Sequence, residues 1–330
     1  MRRRLRRDHL ILAAATIAIV MIVAVIWATQ AKMRLNAVRS YERSTPEVPW
    51  HPMINVVTEQ VSVYPGSYLT FIARNLMPGG PAKDEIPSID RPSYVLAGKA
   101  DLEPADTIIG IDVQGVPMAY PLRIMRWHEV VNDEEFSVTY CPLTDSAIVY
   151  RGKEFGVSGL VYNSNLVMYD RKTGSLYPQM LGIAADGPDK GLRLERVHST
   201  VTSWGLWKAQ HPNSLVLSDA TGHDYNYSED PYAGYVSSPR LWFPAAATDE
   251  TLPSKATVIG IERKGALAVL KTSAISAGEQ EYDLGGESLH ISYDPYYDTI
   301  KVTGIDGPVD TVEAYWFAWY AYHPDTEVLR

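Results

Sequence analysis

A strand-rich α+β fold, built from two unequal copies of one β-hairpin/helix/strand unit behind an N-terminal transmembrane helix, is what this sequence predicts. Three observations predict it. First, the chain repeats itself: Trp204, Trp207, His211, Pro212, Val216 and Leu217 recur at identical spacing as Trp316, Trp319, His323, Pro324, Val328 and Leu329. Upstream, Ile109-Gly110-Ile111 with Gly115 matches Ile259-Gly260-Ile261 with Gly265, and Tyr140-Cys141-Pro142 with Asp145-Ser146 matches Tyr293-Asp294-Pro295 with Asp298-Thr299. Matching segments in a fixed order mark a duplicated supersecondary unit. Second, many apolar runs are short and end at Gly, Pro, Asn or Asp, which is strand patterning. Third, residues 10–29 are uncharged and mostly apolar, and about 20 such residues span a bilayer as a helix.

Taken in order, residues 1–43 read as a signal anchor with a juxtamembrane helix. Arg2, Arg3, Arg4, Arg6 and Arg7 precede the apolar run, and Lys32, Arg34, Arg39 and Arg43 follow it. The denser basic cluster places the N-terminus in the cytoplasm and the bulk of the chain outside. A cleaved signal would need a shorter apolar region and an Ala-x-Ala-like site, which Trp27-Ala-Thr-Gln-Ala31 does not offer. Residues 44–85 read as a linker broken by Pro46, Pro49 and Pro52, followed by N-terminal strands at 61–64 and 68–72 around a Pro65-Gly66 turn.

The first copy occupies residues 86–218. Its hairpin strands, 107–113 and 116–120, flank Gln114-Gly115. A helix over 122–131 follows, with Ile124, Trp127, His128 and Val131 on one face, and Asn132-Asp133 as its closing turn. Phe136, Val138 and Tyr140 then alternate with Ser137, Thr139 and Cys141, so Cys141 ends a strand on its more polar face. Ser203 is placed to cap the Trp204 helix. Residues 219–254, rich in Asp, Tyr, Pro, Gly and Ser, connect the copies and are expected to pack over their junction. The second, degenerate copy spans 255–330 and lacks a counterpart of most of 151–203, which makes that segment an elaboration of the first.

Charge narrows the partners. Residues 44–330 hold 21 basic and 37 acidic side chains, a formal balance of −16. Phosphate backbones need the opposite field, so nucleic acid is excluded as a partner, and an acidic surface suits an ectodomain that stays off anionic lipid. The membrane is met only through the N-terminal helix. Cys141 is the single cysteine, so no disulfide within the chain is available to it.

Polar residues kept in one copy only are the better candidates for chemistry. The first copy alone holds His128, Glu129 and Cys141. A metal site would use Cys141 and His128, with Asp145, Asp170 or His198 as further ligands, and thiolate plus imidazole suits copper or zinc. A cysteine-nucleophile enzyme of the acyl-transfer type would use His128 to deprotonate Cys141, with Glu129 or Asp133 orienting the imidazole. The plainer alternative is a satisfied core histidine beside a buried small thiol. Asp294 in place of Cys141 in the second copy favours a polar role. Trp204, Trp207 and His211 occur in both copies and read as packing and helix termination. Tyr225, Tyr227, Tyr232 and Tyr235, with Asp224, Glu229 and Asp230, offer carbohydrate stacking or calcium ligation, although a packing role explains them as well.

Several motifs stand in order: Pro87-Ser-Ile-Asp90, Trp127-His128-Glu129-Val-Val-Asn132-Asp133, Tyr140-Cys141-Pro142-Leu143, Ser158-Gly159-Leu-Val-Tyr-Asn163, Met168-Tyr169-Asp170 and Trp204 through His211-Pro212. Together they resemble domain-of-unknown-function family 3179 over roughly residues 84–329. The resemblance implies an archaeal or bacterial protein, often exported or membrane-anchored, and implies no reaction. Family members commonly carry a second cysteine three residues after the first, with glycine next, where this chain has Thr144 and Asp145. That departure speaks against a dithiol or two-thiolate role. The expected function is therefore a membrane-anchored extracytoplasmic protein with a small polar pocket around Cys141 and His128 that binds a metal ion or small ligand. The alternatives are the cysteine-nucleophile enzyme and a non-catalytic surface or assembly module.

Overall fold

The computed structural model describes residues 66–263, 265–270, 278–294 and 299–329. The expected transmembrane helix, the linker up to residue 65, and Pro295 and Asp298 of the second copy lie outside the described residues. Among the described residues no helix is long and apolar enough to cross a membrane.

The chain opens with helix α1 (Gly66–Arg74) and short strands β1 (Met77–Pro78) and β2 (Tyr94–Leu96). The expectation of a strand over 68–72 is corrected here. Aromatic and β-branched residues suggested a strand, but Leu69 and Ile72 are buried while Phe71 is exposed, and an i, i+3 burial pattern belongs to a helix.

A hairpin follows, β3 (Thr107–Val113) with β4 (Val116–Pro121), then helix α2 (Leu122–His128). Three antiparallel strands come next: β5 (Val130–Asn132), β6 (Phe136–Cys141) and β7 (Ser146–Arg151). An added sheet is formed by β8 (Phe155–Tyr162), β9 (Asn165–Asp170) and β10 (Leu176–Pro178), with β1 on its edge. The chain returns through β11 (Arg196–Val197) and β12 (Ser199–Ser203), helix α3 (Trp204–Gln210) and β13 (Leu215–Leu217). One short helix, α4 (Ala233–Val236), interrupts the connection. The last part runs β14 (Thr257–Glu262), β15 (Ala266–Leu270), β16 (Glu279–Leu284), β17 (Glu287–Asp294), β18 (Thr299–Gly304), β19 (Gly307–Pro308), β20 (Thr311–Tyr315), helix α5 (Trp316–Tyr322) and β21 (Glu327–Leu329). The protein is a strand-rich α+β fold.

Two pairs of sheets share one connectivity. The sheet β12-β3-β4-β13, extended by β2, has the order of β20-β14-β15-β21, and in each the last strand runs parallel to the second hairpin strand. Likewise β5-β6-β7-β11 corresponds to β16-β17-β18-β19. Each helix after β12 or β20 sets a tryptophan on a hairpin glycine. A Cβ at Gly110 would lie 2.4 Å from the Trp207 ring, and one at Gly260 would lie 2.2 Å from the Trp319 ring. Only glycine leaves room for either indole, which explains why both hairpins carry Ile-Gly-Ile. The tryptophans also stack on His211 and His323, at 4.2 and 4.0 Å between ring centres. These histidines follow α3 and α5 as helix-end residues.

Two further expectations are corrected. The helix ends at His128, not at residue 131, because Glu129 adopts a left-handed conformation (φ 58) and Val130-Val131 enter β5. Asn132-Asp133 therefore ends a strand and opens the turn into β6, with the Asp133 N–H donating to the Phe136 carbonyl. All six residues of β6 are buried. Val138 and Tyr140 join one apolar core while Cys141 joins another, so its sheet lies between two cores. The face expected to be polar is covered by the added sheet.

Candidate functional site

The end of α2 is built by hydrogen bonding on both sides of a left-handed residue. The Glu129 N–H donates to the Met125 carbonyl at 2.8 Å, closing the helix, and the Glu129 carbonyl accepts from the Tyr140 N–H, fastening that corner to β6. This corner places Arg126, Trp127, His128 and Glu129 beneath the connection of residues 219–254. Each of the four is held by it.

His128 is fully buried. Its Nδ1 lies 2.7 Å from the Pro87 carbonyl, which can only accept, so Nδ1 carries the proton. Nε2 then accepts from the Tyr227 hydroxyl at 2.6 Å, and that hydroxyl accepts in turn from Thr221. Burial, with a smaller contribution from nearby His223, pushes the imidazole down to about 4. Both nitrogens are engaged in the neutral form.

Glu129 is also buried. Its Oε1 accepts from the Tyr232 hydroxyl at 3.0 Å. Burial outweighs this bond and pushes the carboxyl up to about 7. Beside it, Trp127 stacks on Tyr225 at 4.8 Å and donates Nε1–H to the Glu229 carbonyl, while Arg126 pairs with Asp230 at 3.5 Å.

Cys141 is buried at the end of β6. Its sulfur accepts the Leu166 N–H at 3.2 Å. Burial, together with the neighbouring Glu129, pushes the thiol up to about 11, so it stays protonated at neutral pH. Glu129, and not His128, is the ionisable neighbour that bears on it.

The remaining expected ligands stand elsewhere. Asp145 occupies the β6–β7 turn in a left-handed conformation (φ 51) and accepts from the Tyr140 hydroxyl at 2.7 Å. Asp170 ends β9, pairs with Lys153, and accepts the backbone N–H groups of Lys172 and Thr173. His198 is exposed and pairs with Asp310 at 3.0 Å. Among the described residues no group of three or more His, Cys, Asp and Glu side chains is arranged to hold a metal ion. The expected copper or zinc site of Cys141, His128, Asp145 and Asp170 is thus not assembled. A cavity of about 20 Å³ lies in another place, lined by Ala147, Ser199, Thr200, Ile259, Ile300 and Glu313, with room for about one water.

Sequence reasoning missed two networks. One is a buried polar cage behind Cys141. Gln179 accepts from Ser146 and Asn165 and donates to Thr139, while Asn165 also donates to Thr144. The other joins Lys153 to Asp170 and Asp189, with Tyr177 donating to Asp189 at 3.0 Å. Neither leaves a local spacing signal, since its members come from separate strands and loops.

The motif residues of the first unit converge in space. The Pro87 carbonyl receives His128, while Asn132 Nδ2 donates to Asp90 at 2.7 Å and to the Phe155 carbonyl at 2.8 Å. The family described as protein of unknown function (DUF3179) matches residues 83–305. The chain belongs to this family. The match covers the first unit, the connection and the second unit as far as β18, and the DUF3179 region includes every residue of the candidate site. No curated protein and no solved structure matches the chain.

Proposed function

We propose that the protein is a membrane-anchored, extracytoplasmic, non-catalytic module assembled from two copies of one unit, in which Cys141, His128 and Glu129 hold the fold together. One observation carries this reading. The groups that nucleophilic or metal chemistry would use already have internal partners: both His128 nitrogens are hydrogen-bonded and the Cys141 sulfur receives a backbone N–H. A nucleophile needs a thiolate and an open approach, whereas this thiol is buried and held protonated. The shared sheet order, the paired Trp-on-Gly contacts and the paired Trp–His stacks support the duplication. The arginine cluster and the apolar run over 10–29 support the anchor.

Two measurements test this. Carbonate extraction of membranes should leave the full chain in the pellet, and release into the soluble fraction would remove the anchor. Alkylation of native protein at neutral pH should leave Cys141 unmodified until denaturant is added, with no metal bound in stoichiometric amount. Rapid native alkylation that slows in His128→Ala, or one metal per chain lost in Cys141→Ser, would replace the structural reading with a chemical one.

A further inference from the structure

Residues 219–254 contain no strand and only one short helix, so no β-ladder ties this segment to the sheets. Near its middle the side chains alternate between body and solvent. Tyr225 stacks on Trp127 and Tyr227 donates its hydroxyl to His128, so both rings face the body, while Asn226 and Ser228 are exposed. An Asn-x-Ser/Thr triplet whose middle residue is not proline is the acceptor sequence for N-glycosylation. Asn226-Tyr227-Ser228 is the one such triplet in the sequence, since every other asparagine lacks Ser or Thr two positions later.

The local geometry suits that reaction. A carboxamide nitrogen is a poor nucleophile because its lone pair is shared with the carbonyl. Donors on the oxygen stabilise the charge that gathers there as the nitrogen gives up a proton. Here Asn226 Oδ1 accepts the Ser228 hydroxyl at 2.7 Å and the Ser228 N–H at 3.2 Å, so the third residue of the triplet supplies both donors. The Asn226 Nδ2 donates to Glu229 Oε1 at 2.8 Å, and the Glu229 N–H closes the turn on the Asn226 carbonyl at 3.0 Å. Nδ2 carries two hydrogens, so the loss of one leaves the other for Glu229.

Resting on the extracytoplasmic reading above, we propose that Asn226 is the acceptor of an N-linked glycan, with a polyprenyl phosphate-linked oligosaccharide as donor and a membrane-embedded oligosaccharyltransferase as the enzyme. Nδ2 bonds to C1 of the reducing-end sugar and the bond from C1 to the phosphate oxygen breaks. The lipid phosphate leaves with that electron pair, and one amide proton passes to a base of the transferase. The proposed anchor keeps the acceptor at the membrane that holds the donor. A segment joined to the body by side-chain contacts opens locally at a lower free energy than a paired strand, so the loop can enter the transferase and dock afterwards. The exposed Asn226 displaces no buried contact when the sugar is added.

Peptide mass spectrometry of the full-length protein, recovered from the membranes of the cells that make it, tests the site. Fragmentation should place sugar on Asn226. Asn226→Gln and Ser228→Ala should both lose it, and Ser228→Thr should keep it. Ala246→Asn, made in the Asn226→Gln chain, completes a second triplet with Thr248 at an exposed position and reports whether the domain reaches the transferase. Sugar at position 246 with none on Asn226 of the wild type overturns the acceptor proposal and leaves the location standing. When neither position is modified, protease added to intact cells separates the cases: a cut domain sinks the proposal alone, and a resistant one sinks the location with it. Sugar that persists on Asn226 in Ser228→Ala overturns the proposal as well.

Discussion

The two units differ most at one place. In the second, β18 turns directly into β19 at Gly304–Gly307, and Ile305 at the tip is 91% exposed. In the first, the chain between β7 and β11 carries residues 152–195, which form the added sheet and cover one face of β6. Ser137, Thr139 and Cys141 are consequently buried, with Gln179 and Lys153 of the added segment bonded to Thr139 and Ser137. The edge strand β16 of the second unit keeps Glu279, Glu281 and Asp283 exposed. The difference teaches that the shared elements are a frame, while the buried polar groups of the first unit follow from what was laid over it. The region 271–277, where the second unit would carry a counterpart of α2, lies outside the described residues.

The sharpest way to break the comparison is to remove the indoles. Trp207 and Trp319 are both buried, each seated on a hairpin glycine. Trp207→Ala and Trp319→Ala should each cost about 3–5 kcal/mol in urea unfolding. Gly110→Ala and Gly260→Ala should each cost about 1–3 kcal/mol by overpacking the same contacts. A large loss in one unit with near-neutral behaviour in the other would show that the shared geometry hides different energetics.

A smaller effect separates the units by pH. His128 in the first unit and His323 in the second are both pushed down to about 4, chiefly by burial, from 6.5. Their unfolded forms bind protons more readily, so each contributes stability that is full above 6.5 and is lost as pH falls toward 4. Glu129 is pushed up to about 7 from 4.5, so its contribution is full below 4.5 and is lost as pH rises through 7. Between 4.5 and 6.5, two groups stabilise with rising pH and one opposes them. Each is worth about 1.4 kcal/mol per pH unit. Wild-type stability should therefore rise by about 1.4 kcal/mol per unit, with Glu129→Gln roughly doubling that slope and His128→Gln or His323→Gln nearly removing it. Denaturant midpoints across this window decide the matter, and a Glu129→Gln slope equal to wild type would refute the opposition.

What was legible in the sequence was whatever repeats locally. The Ile-Gly-Ile hairpins, the Trp helices and the Ser203 cap, where the Leu206 N–H reaches Ser203 Oγ at 3.5 Å, follow from spacing and turn chemistry. The connection of residues 219–254 was legible as a segment and as a packing element, but its landing points on His128 and Glu129 join residues about a hundred positions apart, and no pattern within one segment encodes such a contact. The burial of the more polar face of β6 has a related cause. Alternation in β6 correctly separated its two faces, yet whether the polar face meets solvent depends on residues 152–195, whose position over it is a tertiary fact. Helix α1 was misread because its aromatic and β-branched composition outweighed a burial period visible only in the fold.

The finest distinction between the units concerns the acceptor for each indole. Trp207 Nε1 donates to Ser214 Oγ at 2.9 Å and Trp319 Nε1 to Thr326 Oγ1 at 3.0 Å, so the bonds themselves are alike. Their surroundings are not. Ser214 is fully buried and its hydroxyl also reaches the Pro117 carbonyl, whereas Thr326 is only half-buried in a turn near the C-terminal strand. Ser214→Ala leaves the buried Trp207 indole N–H without its acceptor and the half-buried Pro117 carbonyl without this donor, which should cost about 1–3 kcal/mol. Thr326→Val preserves shape, and water at the turn can accept from Trp319, so its cost should stay near 0.5–1 kcal/mol. Urea unfolding of both variants measures the gap. Equal losses would mean that water reaches Ser214 as well, and the first unit would then be no drier at its tryptophan than the second.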